Sequence, residues 1–170
     1  NIDFLAIVVN FVDQLAHKQS ESLVLKEMVN DESAFCRAIY SWFLNSWLLD
    51  VLKYIGDNNY KIVLTSDHGS IRVRKGLVVK ADKNTTSGIR YKVGRNLNCD
   101  EKGGLKILSP SKFRLPDIGP QSTYLLAKDS SFFLYPNQMK KFQDSIKGSF
   151  QHGGISMEEM LVPVAILDGK

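Results

Sequence analysis

The chain has 170 residues, of which 44% are apolar and 24% charged, and its net charge is +4. These proportions suit one globular domain with a real core and exclude a disordered or fibrous chain. No apolar run approaches the roughly 20 residues that span a bilayer, and two cysteines, Cys36 and Cys99, are too few for a disulfide framework and fit a reducing cytoplasm.

Residues 4–11 (FLAIVVNF) form a continuous apolar run rich in β-branched side chains. The run predicts a strand buried on both faces, as in a parallel sheet. It lacks a basic leader and a cleavage site, so no signal peptide is expected. The chain starts at Asn1 and enters this segment at once, so a piece of a longer protein is expected. Residues 20–28 predict a short helix. Asp31 is the expected N-cap of a second helix, whose first turn holds Glu32. Trp42, Phe43, Trp47, Leu48, Val51, Leu52 and Ile55 recur at helical spacing as core packing, and Gly56 ends the pattern. Residues 61–66 (KIVLTS) predict a second buried strand. The order strand, helices, strand suggests a parallel crossover.

Residues 71–80 are β-rich and basic. Residues 81–120 are rich in Lys, Asn, Ser, Gly and Pro and predict an insertion of loops and short strands. Residues 122–127 and 132–135 predict a pair of strands, and residues 137–147 a helix capped by Asn137. Residues 161–167 predict a last strand, placed at a sheet edge by Pro163. The charge is uneven. Between positions 71 and 95 lie Arg72, Arg74, Lys75, Lys80, Lys83, Arg90, Lys92 and Arg95 against Asp82 alone. Such a stretch is either a solvated hairpin face or an attractive field for a phosphate-bearing partner.

The three histidines carry the chemistry. Asp13-x-x-x-His17 follows the first predicted strand, and residues four apart share one helical face. Asp67-His68-Gly69 follows the second, where Gly69 lets the backbone turn. His152-Gly153-Gly154 precedes Ser156 and the acids Glu158 and Glu159, which suit the first turn of a helix. Open α/β sheets place ligands beyond the carboxyl ends of their strands. Two Asp/His pairs and a further His form a zinc-like set of nitrogen and carboxylate donors. No Gly-x-Ser-x-Gly, P-loop or dinucleotide fingerprint is present.

This ligand order resembles that of the alkaline phosphatase superfamily. The ending QHGGISMEEMLVPV (residues 151–164) resembles the C-terminal signature of PglZ-type domains within it. Residues 84–95 (NTTSGIRYKVGR) and 41–46 (SWFLNS) resemble the PglZ output domain of PorX-like response regulators.

The resemblance implies a three-layer α/β/α sandwich with a mostly parallel sheet, present here as the C-terminal part of a domain. Residues 71–120 would cap the site as a basic insertion. It implies two zinc ions, one held by Asp13, His17 and His152, the other by Asp67, His68 and groups lying upstream. The Ser or Thr nucleophile is also expected upstream, so this chain alone should be inert. The implied activity is hydrolysis of a phosphodiester, oligonucleotide-like or cyclic, with Arg90, Lys92 and Arg95 on the substrate phosphates. Other outcomes left open are a phosphomonoesterase, or a regulatory docking module with structural zinc. The expected partners are the upstream remainder of the domain, a second copy and signalling proteins, in the cytoplasm.

Overall fold

The computed structural model describes residues 3–80, 86, 88–100, 102–136 and 139–169. Residues 4–10 form no strand, and the chain enters helix α1 (Phe11–Glu21) directly. The first expected strand is thereby corrected. β-branched composition favours a strand only where a neighbouring strand and a packed face receive it, and here Phe4 and Val8 are more than 80% exposed. Ser22 then caps the short α2 (Leu23–Met28) by accepting from the Leu25 N–H at 3.3 Å.

Asp31 caps α3 (Glu32–Asn45), accepting from the Ala34 N–H at 2.7 Å as expected. The long helical stripe divides at Ser46 into α3 and α4 (Trp47–Asp57). It is buried only in part. Leu48 is inside, whereas Trp47 and Tyr54 face outward. Trp42 stacks on Phe11 with ring centroids 4.2 Å apart, which fixes the start of α1 against α3.

The strands are β1 (Ile62–Thr65), β2 (Ile71–Arg72), β3 (Lys75–Val78), β4 (Tyr91–Gly94), β5 (Gly104–Ile107), β6 (Thr123–Ala127), β7 (Ser131–Leu134), β8 (Phe150–Gln151) and β9 (Val164–Leu167). A 3-10 turn lies at Pro110–Phe113, and helices α5 (Met139–Ile146) and α6 (Met157–Met160) flank β8. The chain is thus an α/β protein of helices and small sheets. Among the described residues the sheets are mostly antiparallel: β1 with β9, β2 with β8, and β6 between β4 and β5. Only β3 and β7 run parallel. The mostly parallel three-layer sheet is therefore not what these residues form. β1 finds an antiparallel partner in β9, and both strands are largely exposed rather than buried. β6 and β7, expected as a pair, join different sheets. Asn137 and Lys83 lie outside the described residues.

β7 lies at the centre of the core because it is buried on both faces. Alternation along the strand sends Phe132 and Leu134 toward Ile71, Val73 and Ile146. The same alternation sends Phe133 toward Leu77, Val79, Leu97, Leu125 and Ala127. A third cluster, Ala16, Val29, Phe35 and Phe150, packs the N-terminal helices on β8. Phe35 and Phe150 stack there at 4.2 Å.

Lys92 on β4 is buried at 2% exposure. Its ammonium donates to the Thr86 carbonyl at 3.3 Å and lies 4.3 Å from the centre of the Tyr135 ring. Burial pulls the amine down to about 8. At pH 7 the charge is present in both states, so folding carries its desolvation. Above pH 8 the folded chain sheds the proton, while the unfolded chain holds it to about 10.4. Stability from this group therefore rises across that window. Lys92→Met should gain about 1–2 kcal/mol at pH 7, and the gain should vanish near pH 10. Urea unfolding at the two pH values checks this. A variant no more stable at pH 7 would show that Thr86 and the ring already offset the burial.

Candidate metal centre

The centre is assembled from three loops or helix faces that the sequence separates widely. In α1 the four-residue spacing puts Asp13 and His17 on one face, with Asp13 Oδ1 3.4 Å from His17 Nε2. The helix is fastened by Gln19, which is fully buried. Its side-chain amide donates to the Val29 carbonyl, and its Oε1 accepts from the Phe150 N–H at 3.2 Å. That bond ties α1 to β8, two residues before His152.

After β8 the chain turns at Gly153, whose φ of +101° favours glycine. A side chain at Gly154 would meet the Arg90 guanidinium and the Ala127 carbonyl oxygen at 2.7 Å or less. The turn delivers the His152 ring to α1. His152 Nε2 lies 3.3 Å from His17 Nε2 and 3.4 Å from Asp13 Oδ1. Burial first, then the nearby His68 and His17 rings, hold His152 below the ordinary histidine range despite the opposing pull of Asp13. The ring is thus disposed to stay neutral, the form that ligates.

Asp13, His17 and His152 offer three donor atoms that could hold one metal ion. A tetrahedral zinc ion with ligands at about 2.0–2.1 Å separates them by about 3.3–3.4 Å. The observed triangle of two nitrogens and one oxygen has edges of 3.3, 3.4 and 3.4 Å. The residues present therefore fit a zinc-sized ion.

His68 stacks on His152, with centroids 3.8 Å apart and planes 14° apart. Its Nδ1 lies 3.0 Å from the Gly69 carbonyl oxygen. A carbonyl can only accept, so Nδ1 is the donor, and in the neutral ring Nε2 is the nitrogen that carries the lone pair. Asp67 is exposed, accepts from the His68 N–H at 3.0 Å, and has Oδ2 3.8 Å from His68 Nε2. Asp67 and His68 thus adjoin the triangle without joining it.

The three basic residues expected on substrate phosphates go to different places. Arg90 is fully buried. Its Nε and Nη2 donate to the two carboxylate oxygens of Glu159 at 2.8 and 2.5 Å, and its Nη1 to the Ser131 carbonyl. That corrects its expected role, because a guanidinium so engaged has little left for a substrate phosphate. Lys92 is buried under Tyr135, and Arg95 is exposed near Gly119.

In the sequence Glu159 reads only as a helix-start acid. It is buried, and burial alone would raise its carboxyl. Hydrogen bonds from Arg90, Ser156 and Gly154 outweigh that and hold it below the usual carboxylate range. The spacing Ser156-x-x-Glu159 was the available signal, since a glutamate at the third helical position reaches back to its cap. Glu159 does so, accepting from the Ser156 N–H at 3.0 Å and hydroxyl at 2.7 Å. Nothing in the sequence marks Gln19.

No helix among the described residues is long and apolar enough to cross a membrane. No curated protein matches the chain significantly. The family model described as the BREX system PglZ alkaline phosphatase-like domain matches residues 2–167. With nearly its whole length matched, and a zinc-sized donor triangle built from α1 and the loop after β8, the chain belongs to the PglZ family of alkaline phosphatase-like domains.

Proposed function

We propose that the chain supplies the zinc-binding part of a phosphoester hydrolase that acts on phosphodiesters. The observation that carries this reading is the 3.3–3.4 Å donor triangle of Asp13, His17 and His152 with the His68 ring stacked on its edge. Family membership supports the phosphoester class. A bound metal ion supplies a Lewis acid for charge on the attacking and leaving oxygens of an in-line displacement.

The side chains prepare that chemistry. Asp13 brings negative charge to both imidazoles. His152 stays neutral through burial, and Asp67 with His68 extends the donor set toward a second ion. Residues 71–120 act as the cap, supported by Tyr91 and Arg90 at the start of β4 lying against Gly153. Arg95 keeps a solvent-facing charge for substrate phosphate. No Ser or Thr of this chain is assigned as the nucleophile. Residues 84–95 and 41–46 support an output domain of the PorX-like response-regulator type, acting in the cytoplasm.

A docking module with structural zinc is the second reading. The exposed apolar side chains Phe4, Leu5 and Val8 before α1, and Val164 and Ile166 on β9, favour it.

Zinc stoichiometry tests the common core of both. The purified chain should hold about one tightly bound zinc through its three-ligand set, and His17→Ala or His152→Ala should each lose it. A folded chain that binds no zinc, or variants that keep it, would refute the site. Diester turnover by the protein extended upstream then separates enzyme from docking module.

A further inference from the structure

The buried pair Arg90–Glu159 lies outside the donor set, yet Glu159 touches both the loop that brings His152 to it and the loop that stacks His68 on its edge. Its side-chain Oε1 accepts from the Gly154 N–H at 2.9 Å, two residues after His152. Its backbone carbonyl accepts from the Gly69 N–H at 2.9 Å, one residue after His68. At Gly69 a Cβ would collide with the Glu158 carbonyl oxygen, so the two backbones are in close contact. Arg90, fully buried, grips both oxygens of Glu159 and reaches the Ser131 carbonyl at the start of β7. The carboxylate is further held by Ser156. Two histidine loops, 84 positions apart between His68 and His152, are thus clamped by one residue that is anchored to the central strand.

We propose that Glu159, locked by Arg90, is a positioning residue of the metal centre. It sets the His152 and His68 loops so that their rings stack at 3.8 Å and His152 Nε2 meets Asp13 and His17. The inference rests on the metal-site reading above. The physical basis is general: groups that orient metal ligands without touching the ion alter affinity, because loosened ligands must be re-ordered on binding. The role is not mere stability, since Glu159 contacts the loops themselves.

The test measures the dissociation constant for Zn2+ alone, with the melting temperature, in wild type, Glu159→Gln and the charge-neutral Arg90→Gln/Glu159→Gln. Ile107→Ala serves as control. It opens a cavity in the cluster of Val93, Ile107 and Tyr124, which contains neither histidine loop. Both Glu159 variants should bind zinc about 10–100-fold more weakly. Ile107→Ala should change affinity less than about twofold despite its lower melting temperature. A folded Glu159 variant with wild-type affinity would overturn the positioning role while leaving the metal site intact. A wild type that binds no zinc would overturn both. Should neither variant fold, hydrogen exchange in the wild type decides. The Gly69 and Gly154 amides, both held by Glu159, should open together with one common free energy, and independent opening would overturn the clamp.

Discussion

Replacing Gly69 by alanine should destabilise the protein by about 2–4 kcal/mol, a large fraction of the stability of a domain this size. The cause is a backbone neighbour. The new methyl would be driven into the Glu158 carbonyl, and a carbonyl in helix α6 cannot swing aside as the tip of a side chain could. Separating the segments also breaks the bond from the Gly69 N–H to the Glu159 carbonyl. Urea unfolding of Gly69→Ala measures the cost. A loss under about 0.5 kcal/mol, the range of an ordinary surface substitution, would show that the loop has room to retreat.

Arg90→Met should cost about 3–5 kcal/mol at pH 7, because it strands a buried carboxylate. It should also reverse the local pH dependence. In the wild type, Glu159 titrates below its unfolded value. Its contribution is therefore present above the unfolded range near about 4.3 and lost as pH falls through the lower folded value. Without Arg90 the buried carboxyl titrates above the unfolded value. The folded variant then takes up a proton that the unfolded chain has already released, so its stability recovers on acidification. Unfolding curves at pH 7 and pH 5 should show the gap between wild type and variant narrowing. A gap equal or wider at pH 5 would mean that Glu159 finds another partner.

Local signals in the sequence translated well into local structure. Asp31 caps its helix, and the strands near positions 62, 123, 131 and 164 all form. The structure brings together Asp13, His17 and His152 as their common chemistry suggested. What escaped the sequence depends on partners far along the chain. Residues 4–10 have the composition of a strand, but composition does not supply a neighbour. Arg90 stands in a run of basic residues, and nothing in the run distinguishes it from the exposed Arg74 or Arg95. Only the meeting with Glu159, 69 positions later, takes it inside. Gln19 is equally silent, since its purpose lies at Val29 and Phe150.

The donor triangle also joins the two ends of the chain. His17 and His152 stand 135 positions apart. Closing so long a loop costs entropy that grows only with the logarithm of its length. A few contacts therefore suffice to hold it, chiefly Ala16 in the cluster with Phe150 and the Gln19 bond. Those contacts are separate from the clusters around β7, so α1 can peel away at lower cost than the sheets can open. An ion shared by Asp13, His17 and His152 would act as a removable cross-link between α1 and the loop after β8. Its loss would free the N-terminal helix while the strands stay folded, making proteolytic nicking near residues 22–31 a sensitive report of metal occupancy.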